Sequence, residues 1–414
     1  MQTLAHKIEL AVNNKQGTYF AKACGVARVA YNWGLFEWKR MYESGEKPNE
    51  AELRKKLNSI KKSQFPYMLE VTKCAPQLAI KDDLATAFKR FFSKQSGYPK
   101  PRKKFIHDRF HISNDQFDIK DNYIRIPKLG WVKMHETLRY HGKVLSATIS
   151  RVVDKWFVSI TVEVDDTNIK YPNNQMTNKI SGVDLGITTF ATIVSDDGTV
   201  KKHDSIKPYK TLLTQVKRLS RQLSRKQKKS KNRTKARYKL AKMHARISNI
   251  RNDYVEKVTT ELANNNSHIV LENLNVRGMS KDRKLAKSIL DMGFYNFKSR
   301  LEAKLKARNK QLMIADRWFA SSKLCSTNGC GYLYRDMTLK DRMWDCPNCN
   351  VTHDRDVNAA RNLMNLAVSS TVSACGVSSD GGTLSNQWST SHVMLKQEFN
   401  HNVVQNCNIL HNIV

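Results

Sequence analysis

The sequence predicts an α+β, multidomain chain, in which a helical module and a small antiparallel β-module precede an α/β unit, on three observations. The hydrophobic period is helical over residues 17–93, where Val26, Val29, Ala30, Trp33 and Phe36 recur three or four residues apart until Gly45-Glu-Lys-Pro48 breaks the pattern. From Phe105 to Glu163 the period drops to two, as in Tyr123-Ile-Arg-Ile126 and in the runs Val144–Ser150 and Trp156–Val164, read as pairing across an Asp154-Lys155 turn. Beyond a polar linker, Asp165 to Lys179, short apolar strands alternate with long helical stretches.

Length and charge bound the rest. At about 150 residues per domain, 414 residues make two to four units, each able to bury a core. The chain carries 71 Lys plus Arg against 37 Asp plus Glu, a formal charge of +34, and a polyanion is the expected partner. No apolar run reaches the roughly 18 residues that span a membrane. The start, Met-Gln-Thr-Leu-Ala-His-Lys, has no secretory apolar segment, so a cytoplasmic, nucleoid-associated place with no membrane partner is expected. In a reducing compartment eight cysteines read as metal ligands or buried thiols.

Two segments concentrate the positive charge. Between the first two modules, Gly97-Tyr-Pro-Lys-Pro-Arg-Lys-Lys104 has prolines that forbid regular structure, and Lys100, Arg102, Lys103 and Lys104 suit a phosphate backbone. In the second half, Asp184 opens a strand, and Phe190–Ser195 forms a hairpin beside it over an Asp197-Gly198 turn. From Thr211 to about Asn264 two helical stretches follow, marked by Leu212, Val216, Leu219 and Leu223 and by Ile247, Ile250, Tyr254 and Val258. No acidic residue lies between Leu212 and Asn252, while Lys217, Arg218, Arg221, Arg225, Lys226, Lys228, Lys229, Lys231, Arg233, Lys235, Arg237, Lys239, Lys242 and Arg246 accumulate. Such a field repels itself unless a polyanion lies against it, whereas an ordinary solvated face mixes both signs. Asn264-Asn-Asn-Ser267 ends the helix, and the strand Ile269-Val-Leu271 delivers Glu272.

Three carboxylates stand at the edges of regular elements: Asp184 on an apolar strand, Glu272 at a strand end, and Asp356 just ahead of a helix carrying Ala359, Ala360, Leu363 and Met364. Acidic groups aimed at one point repel unless a hard divalent cation neutralises them, and Mg²⁺ takes oxygen ligands. Two such ions about 3.5–4 Å apart stabilise both the attacking and leaving oxygens of phosphodiester hydrolysis. The pattern reads as a metal-dependent nuclease site. Asp356 is also placed to N-cap its helix, and Asp354 is its rival for the third ligand position.

Cys325, Cys330, Cys346 and Cys349 form two pairs about fifteen residues apart, the spacing of a zinc ribbon. The second pair is Cys-Pro-Asn-Cys, the first a wider C-x₄-C, and four thiolates suit tetrahedral Zn²⁺. Cys24, Cys74, Cys375 and Cys407 show no pairing. No Walker motif or glycine-rich phosphate loop is present, which argues against nucleotide hydrolysis.

In order along the chain, Gly-Val-Asp-Leu-Gly-Ile, Val-Leu-Glu-Asn-Leu, Ser-Ser-Lys-Leu-Cys with its Cys-Pro-Asn-Cys partner, and His-Asp-Arg-Asp-Val-Asn-Ala-Ala-Arg-Asn resemble the transposon-encoded TnpB proteins, relatives of miniature type V CRISPR nucleases. The resemblance runs from about Ser181 to Leu366. Shorter pieces, Tyr31-Asn-Trp33, Gly97-Tyr-Pro-Lys100, Leu129-Gly-Trp-Val132 and Lys155-Trp-Phe-Val-Ser159, look like that family's helical recognition lobe and wedge barrel. It implies a wedge-type β-barrel with a helical recognition insertion, then an RNase H-like (RuvC) nuclease domain with a zinc-ribbon insertion. It also implies a monomer in a ribonucleoprotein, directed by a guide RNA from the transposon end, that cuts double-stranded DNA beside a short transposon-associated motif. Carried over, the catalytic triad falls on Asp184, Glu272 and Asp356, the family order Asp-x-Asn-Ala-Ala favouring Asp356 over Asp354.

The expected boundaries are 1–16 for the first part of the wedge barrel, 17–93 for the recognition lobe and 94–170 for the rest of the barrel. Residues 180–320 then make the nuclease domain, 321–353 the zinc insertion, 354–368 the last nuclease helix, and 369–414 a flexible tail rich in Ser, Thr, Gly and Asn. The competing functions are a strand-joining transposase with the same triad and an RNA-guided DNA-binding repressor that does not cut.

Overall fold

The computed structural model describes residues 1–165, 171, 178–282, 285–338 and 340–374. Strand β1 (Gln2–Ala11) leads into helices α1 (Asn14–Glu43), α2 (Glu50–Gln64), α3 (Cys74–Leu78) and α4 (Ala85–Phe92); α3 and α4 are joined by a π-helical stretch, Ala79–Leu84. Strands β2 (Arg109–Ser113), β3 (Asp118–Lys120), β4 (Tyr123–Ile126), β5 (Gly130–Met134), β6 (Lys143–Val152) and β7 (Lys155–Val164) follow. The second half runs β8 (Ile180–Leu185), β9 (Thr189–Ser195), β10 (Val200–Asp204), α5 (Pro208–Thr211), α6 (Leu213–Ser224), α7 (Lys231–Asn265), β11 (His268–Leu271), α8 (Val276–Met279), α9 (Ala286–Met292), α10 (Phe294–Ala307), β12 (Gln311–Ile314), β13 (Met343–Asp345), β14 (Thr352–Asp354) and α11 (Arg355–Ala374). No helix among the described residues is long and apolar enough to cross a membrane.

The first half builds one core from a sheet and its inserted helices. The sheet order is β2-β6-β7-β1-β5-β4-β3, with antiparallel neighbours. Six spacings of about 4.8 Å would hold β2 and β3 some 29 Å apart in a flat sheet. Only residues 114–117 join them, a link that reaches at most roughly 18 Å. The sheet therefore curls. Its inner face is the period-two set Trp156, Val158, Ile160 and Val162 on β7 with Ile8 and Leu10 on β1. Helix α1 starts from a capping box, in which Asn13 and Gln16 exchange backbone-to-side-chain hydrogen bonds of 2.9 and 3.0 Å, and it sinks Phe20 beside Phe110 and Trp156.

The β6–β7 turn falls on Val153 and Asp154, one residue earlier than the expected Asp154-Lys155. Val153 has φ +58°, a left-handed conformation costly for a β-branched residue. Its carbonyl compensates by accepting hydrogen bonds from Arg151 Nε (2.7 Å) and Tyr238 Oη (3.1 Å), the latter from α7. Asp154 also pairs with Lys242 at 2.6 Å, so the hairpin tip is fastened to the long helix.

The second half is a five-stranded sheet, β10-β9-β8-β11-β12, antiparallel as far as β8 and parallel from there. Alternation divides its faces. Val183, Leu185, Ile269 and Leu271 pack on α7, α9 and α10, while Val270 packs with Leu363 and Ala367 of α11. Gly182 lies on this α11 face, where a Cβ would stand 2.0 Å from Ala360 O and 2.4 Å from Met364 N. Only glycine allows the helix backbone to seat there. Between α6 and α7 the chain breaks at Arg225–Ser230, as two helical stretches require; Ser230 caps α7, and Arg233 Nη1 donates to Leu223 O and Lys226 O at the end of α6. Helix α11 continues to Ala374, six residues into the segment expected to be tail. The rest of that expected tail, 375–414, and most of the Asp165–Lys179 linker lie outside the described residues.

Candidate active site and metal centre

Register and alternation bring the first two carboxylates together. Leu271 pairs with Val183 in the parallel β8–β11 ladder, which sets Glu272 beside Asp184, and the period of two puts both on the face that α11 covers. Asp356 comes from the first turn of α11, and all three line one cavity of about 630 Å³. Burial, then the neighbouring charges of Glu272 and Asp356, push the Asp184 carboxyl up to about 8. Burial likewise raises Glu272, and Arg355 opposes the rise. A cavity that gathers three carboxylates and raises Asp184 and Glu272 even with Arg355 beside them fits a divalent cation.

The helix cap differs from expectation, and the difference separates the roles of the two rival aspartates. Asp354 Oδ1 accepts from Val357 N–H at 3.0 Å, and Asp354 Oδ2 is 2.8 Å from Lys202 Nζ. Asp354 is therefore the N-cap, turned outward to a lysine. Asp356, two residues on, is freed for the cavity, where Arg342 Nη1 approaches it at 3.5 Å. Arg317, Arg342 and Arg355 share the lining. The first two gave no sequence signal, since isolated arginines in a chain this basic carry no pattern.

The four cysteines converge as their spacing requires. Their sulfurs lie within 4.8 Å of one another, with 3.6 Å from Cys325 to Cys349 and 3.5 Å from Cys330 to Cys346. Tetrahedral Zn–S bonds of about 2.3 Å imply sulfur separations of roughly 3.8 Å, so the donor set fits Zn²⁺. Burial pushes Cys325 up to about 12, while a hydrogen bond from Asn348 Nδ2 draws Cys330 down to about 6. Met337, Trp344, Tyr332 and Tyr334 complete a small core around the cluster.

The basic residues divide. Lys217, Arg218 and Arg221 on α6, Arg225, Lys226, Lys228 and Lys229 in the break, and Lys231, Lys235 and Arg237 on α7 are exposed, as are Lys100, Lys103 and Lys104. The two segments meet at Phe105, with Lys104 Nζ 5.2 Å and the Arg237 guanidinium 5.0 Å from the ring centre. Arg102 and Arg233 depart from the expected phosphate-facing role. Arg102 is 9 % exposed, bonds Asp83 at 2.7 Å and lies over Tyr31 at 4.0 Å. Arg233, half-buried, is occupied by the α6 carbonyls. Composition alone cannot separate a lysine or arginine that faces solvent from one that ties elements together.

A family model described as a probable transposase matches residues 159–283, and one described as a Cas12f1-like TNB domain matches 294–363. A third, described as a helix-turn-helix domain, matches residues 1–47, a span that here holds β1 and the unbroken helix α1. A Streptomyces pristinaespiralis protein named "Putative RNA-guided DNA endonuclease" is 33% identical over 380 residues, 90% of each chain. "Putative RNA-guided DNA endonuclease InsQ" of Escherichia coli K12 is 30% identical over 390 residues, 90% of this chain and 94% of its own. "TnpB-like protein L79" of Acanthamoeba polyphaga mimivirus is 28% identical over 214 residues, 48% of this chain and 39% of its own. Identity at this level across nearly the whole of both bacterial relatives, together with the transposase-model match over the strands that carry Asp184 and Glu272, means that the chain belongs to the TnpB family.

Proposed function

We propose that the protein is an RNA-guided, divalent-metal-dependent DNA endonuclease, and the observation that carries this is the meeting of Asp184, Glu272 and Asp356 in one cavity, where the charges of Glu272 and Asp356 help to raise Asp184. The names of its full-length relatives support the guide RNA and the DNA target. The curled seven-stranded sheet is read as the wedge barrel, with residues 17–93 as its recognition insertion, and the five-stranded sheet with α11 as the RNase H-like domain. The domain limits given above follow from that reading, with the last nuclease helix extended to Ala374, as do a monomeric ribonucleoprotein and a cytoplasmic site of action.

Bound between the three carboxylates, Mg²⁺, with two ions expected, would activate water and neutralise the leaving 3′-oxygen. The chain's own part is position. β8 and β11 hold Asp184 and Glu272 rigidly, α11 brings Asp356, and Arg317, Arg342 and Arg355 offer guanidinium groups to a phosphate entering the cavity. The exposed basic face of α6 and α7, joined at Phe105 to Lys100, Lys103 and Lys104, is assigned to the guide or the guide–target duplex, whose sequence is read by pairing. The zinc module is structural.

The test is to purify the protein with its RNA, sequence that RNA, and present a plasmid library with a matching target beside randomised flanks. Mg²⁺-dependent cutting confined to matched targets beside one short motif is expected. Strand transfer to a second DNA would favour the transposase reading, and binding without cutting the repressor; either replaces this proposal.

A further inference from the structure

Three buried side chains outside the cysteine cluster tie its first loop to the segment that carries Asp356. His353, on β14, is 4 % exposed and packs on Trp344 with ring centres 4.8 Å apart; its Nε2 lies 3.1 Å from Cys325 Sγ. The imidazole stands outside the mutually close set of four sulfurs, so it is placed to bond a ligand and not to be one. Asn358 brackets the same cysteine: its Oδ1 accepts from Ser326 N–H at 3.0 Å, and its Nδ2 donates to Leu324 O at 2.7 Å. Asn362 Nδ2 donates to Leu324 O at 2.6 Å and to Ser321 O at 2.8 Å. His353, Asp356, Asn358 and Asn362 are all supplied by one ten-residue stretch of β14 and α11.

A metal-bound thiolate keeps negative charge on sulfur, and a donor aimed at that sulfur both holds it in place and strengthens its hold on the ion. We infer that His353 is a positioning residue that donates Nε2–H to the Cys325 thiolate, and that by this bond, with Asn358 holding the backbone on both sides of Cys325 and Asn362 the backbone before it, the loaded four-cysteine site fixes the first turns of α11 and with them Asp356. The zinc module would then set the geometry of the carboxylate cavity through the backbone, with no zinc-bound atom reaching the reacting phosphate. This rests on the zinc and cleavage readings above, and its first arm needs neither RNA nor DNA.

The full-length protein is loaded with Zn²⁺ or Co²⁺, and three quantities are read: the rate of zinc transfer to a chromogenic chelator, the sulfur-to-cobalt absorption, and amide hydrogen exchange over residues 355–362. His353→Phe, which keeps a ring against Trp344, should still hold one ion, release zinc roughly 10-fold faster, shift the cobalt band and raise exchange in α11. His353→Gln, which restores an N–H donor, should recover part of each, and it decides the matter if the Phe variant does not fold. In cleavage, His353→Phe should require several-fold more Mg²⁺ for half-maximal rate with RNA binding unchanged. Parental release rate and cobalt spectrum in His353→Phe overturn the inference, as does a three-thiolate spectrum in the parent, which would make His353 a ligand. Faster release without change in α11 exchange or Mg²⁺ requirement overturns the link to Asp356. A parent that never cuts DNA sinks the nuclease reading but leaves the zinc and exchange measurements to decide the positioning role.

Discussion

Asp83 and Asp184 are both carboxylates withdrawn from water, and their surroundings drive them in opposite directions. Asp83, in the π-helical stretch of the first half, is 7 % exposed, and burial alone would raise it; His111 and Arg102 hydrogen bonds, with Arg109 alongside, hold it well below the ordinary carboxylate range. Asp184 meets burial with like charges and is pushed up to about 8. A buried charge whose countercharges are bonded to it belongs to the architecture; one crowded by its own sign, with Arg355 only partly offsetting the crowding, suits the cation site proposed here. The same residue type thus serves as a fastening in one half and, on the proposed reading, as a socket in the other.

The contrast can be broken by substitution. Asp184→Ala or Glu272→Ala should lower DNA cleavage by roughly 10³-fold or more, the scale seen when one member of a catalytic unit is removed. Thermal stability should hold or rise, because like-charge repulsion is relieved. A Glu272→Ala protein that cuts at the parental rate would remove that residue from the site. Asp83→Ala should do the reverse, costing about 3–5 kcal/mol by stranding the buried Arg102 guanidinium. Cleavage by the surviving folded fraction should be unchanged, and urea unfolding with activity normalised to folded protein checks both.

Acidity sharpens the comparison further. For Asp83 the folded state binds its proton less readily than the unfolded chain, so its stabilisation is full above the ordinary Asp value and fades on acidification below it. For Asp184 the folded state binds its proton more readily, so metal-free protein should lose stability as pH rises from the ordinary Asp value toward about 8. The melting temperature of Asp184→Asn in chelator should lack that decline. If both proteins show the same slope across this window, the crowding at Asp184 is relieved by some means other than protonation.

The smallest effect is expected on the basic face, where the side chains to be replaced are exposed. Changing Arg225, Lys228, Lys229 and Lys231 to Gln should weaken RNA or target binding and reduce the salt slope by roughly one for each phosphate no longer neutralised. Sequence preference should not move. Equal affinity and slope in parent and variant would make this face ordinary solvated surface.

Much of this was legible in the sequence, for reasons that differ by residue. Asp184 and Glu272 stood out because apolar strand patterns ran straight into a charge, and a ladder of period two then puts them on one face. The cysteines stood out because thiol spacing is local. Asp354 and Asp356 were harder, since both precede the same helix and only hydrogen-bond geometry says which caps it. The ion-pair network of Asp83, Arg102 and Arg109 was invisible, and Arg102 was read as phosphate-facing, because a charge network assembled across a helical insertion has no linear signature. The same holds for Asn358 and Asn362, ordinary polar residues in a helix whose partners are backbone groups some 32 to 41 positions away.

Gly182 contributes no atom to any of these networks, yet it gauges one of them. Because α11 rests directly on its Cα, the depth at which the helix seats, and hence the gap across which Asp356 faces Asp184 two residues along the strand, is set by the thickness of what is missing. A single methyl there would act as a shim. Every carboxylate would still be present, the surface unaltered and the charge the same, but they would stand at the wrong calibre for the ions proposed to lie between them. Inactivity in a relative with an intact triad can therefore originate in a residue that has no side chain to compare.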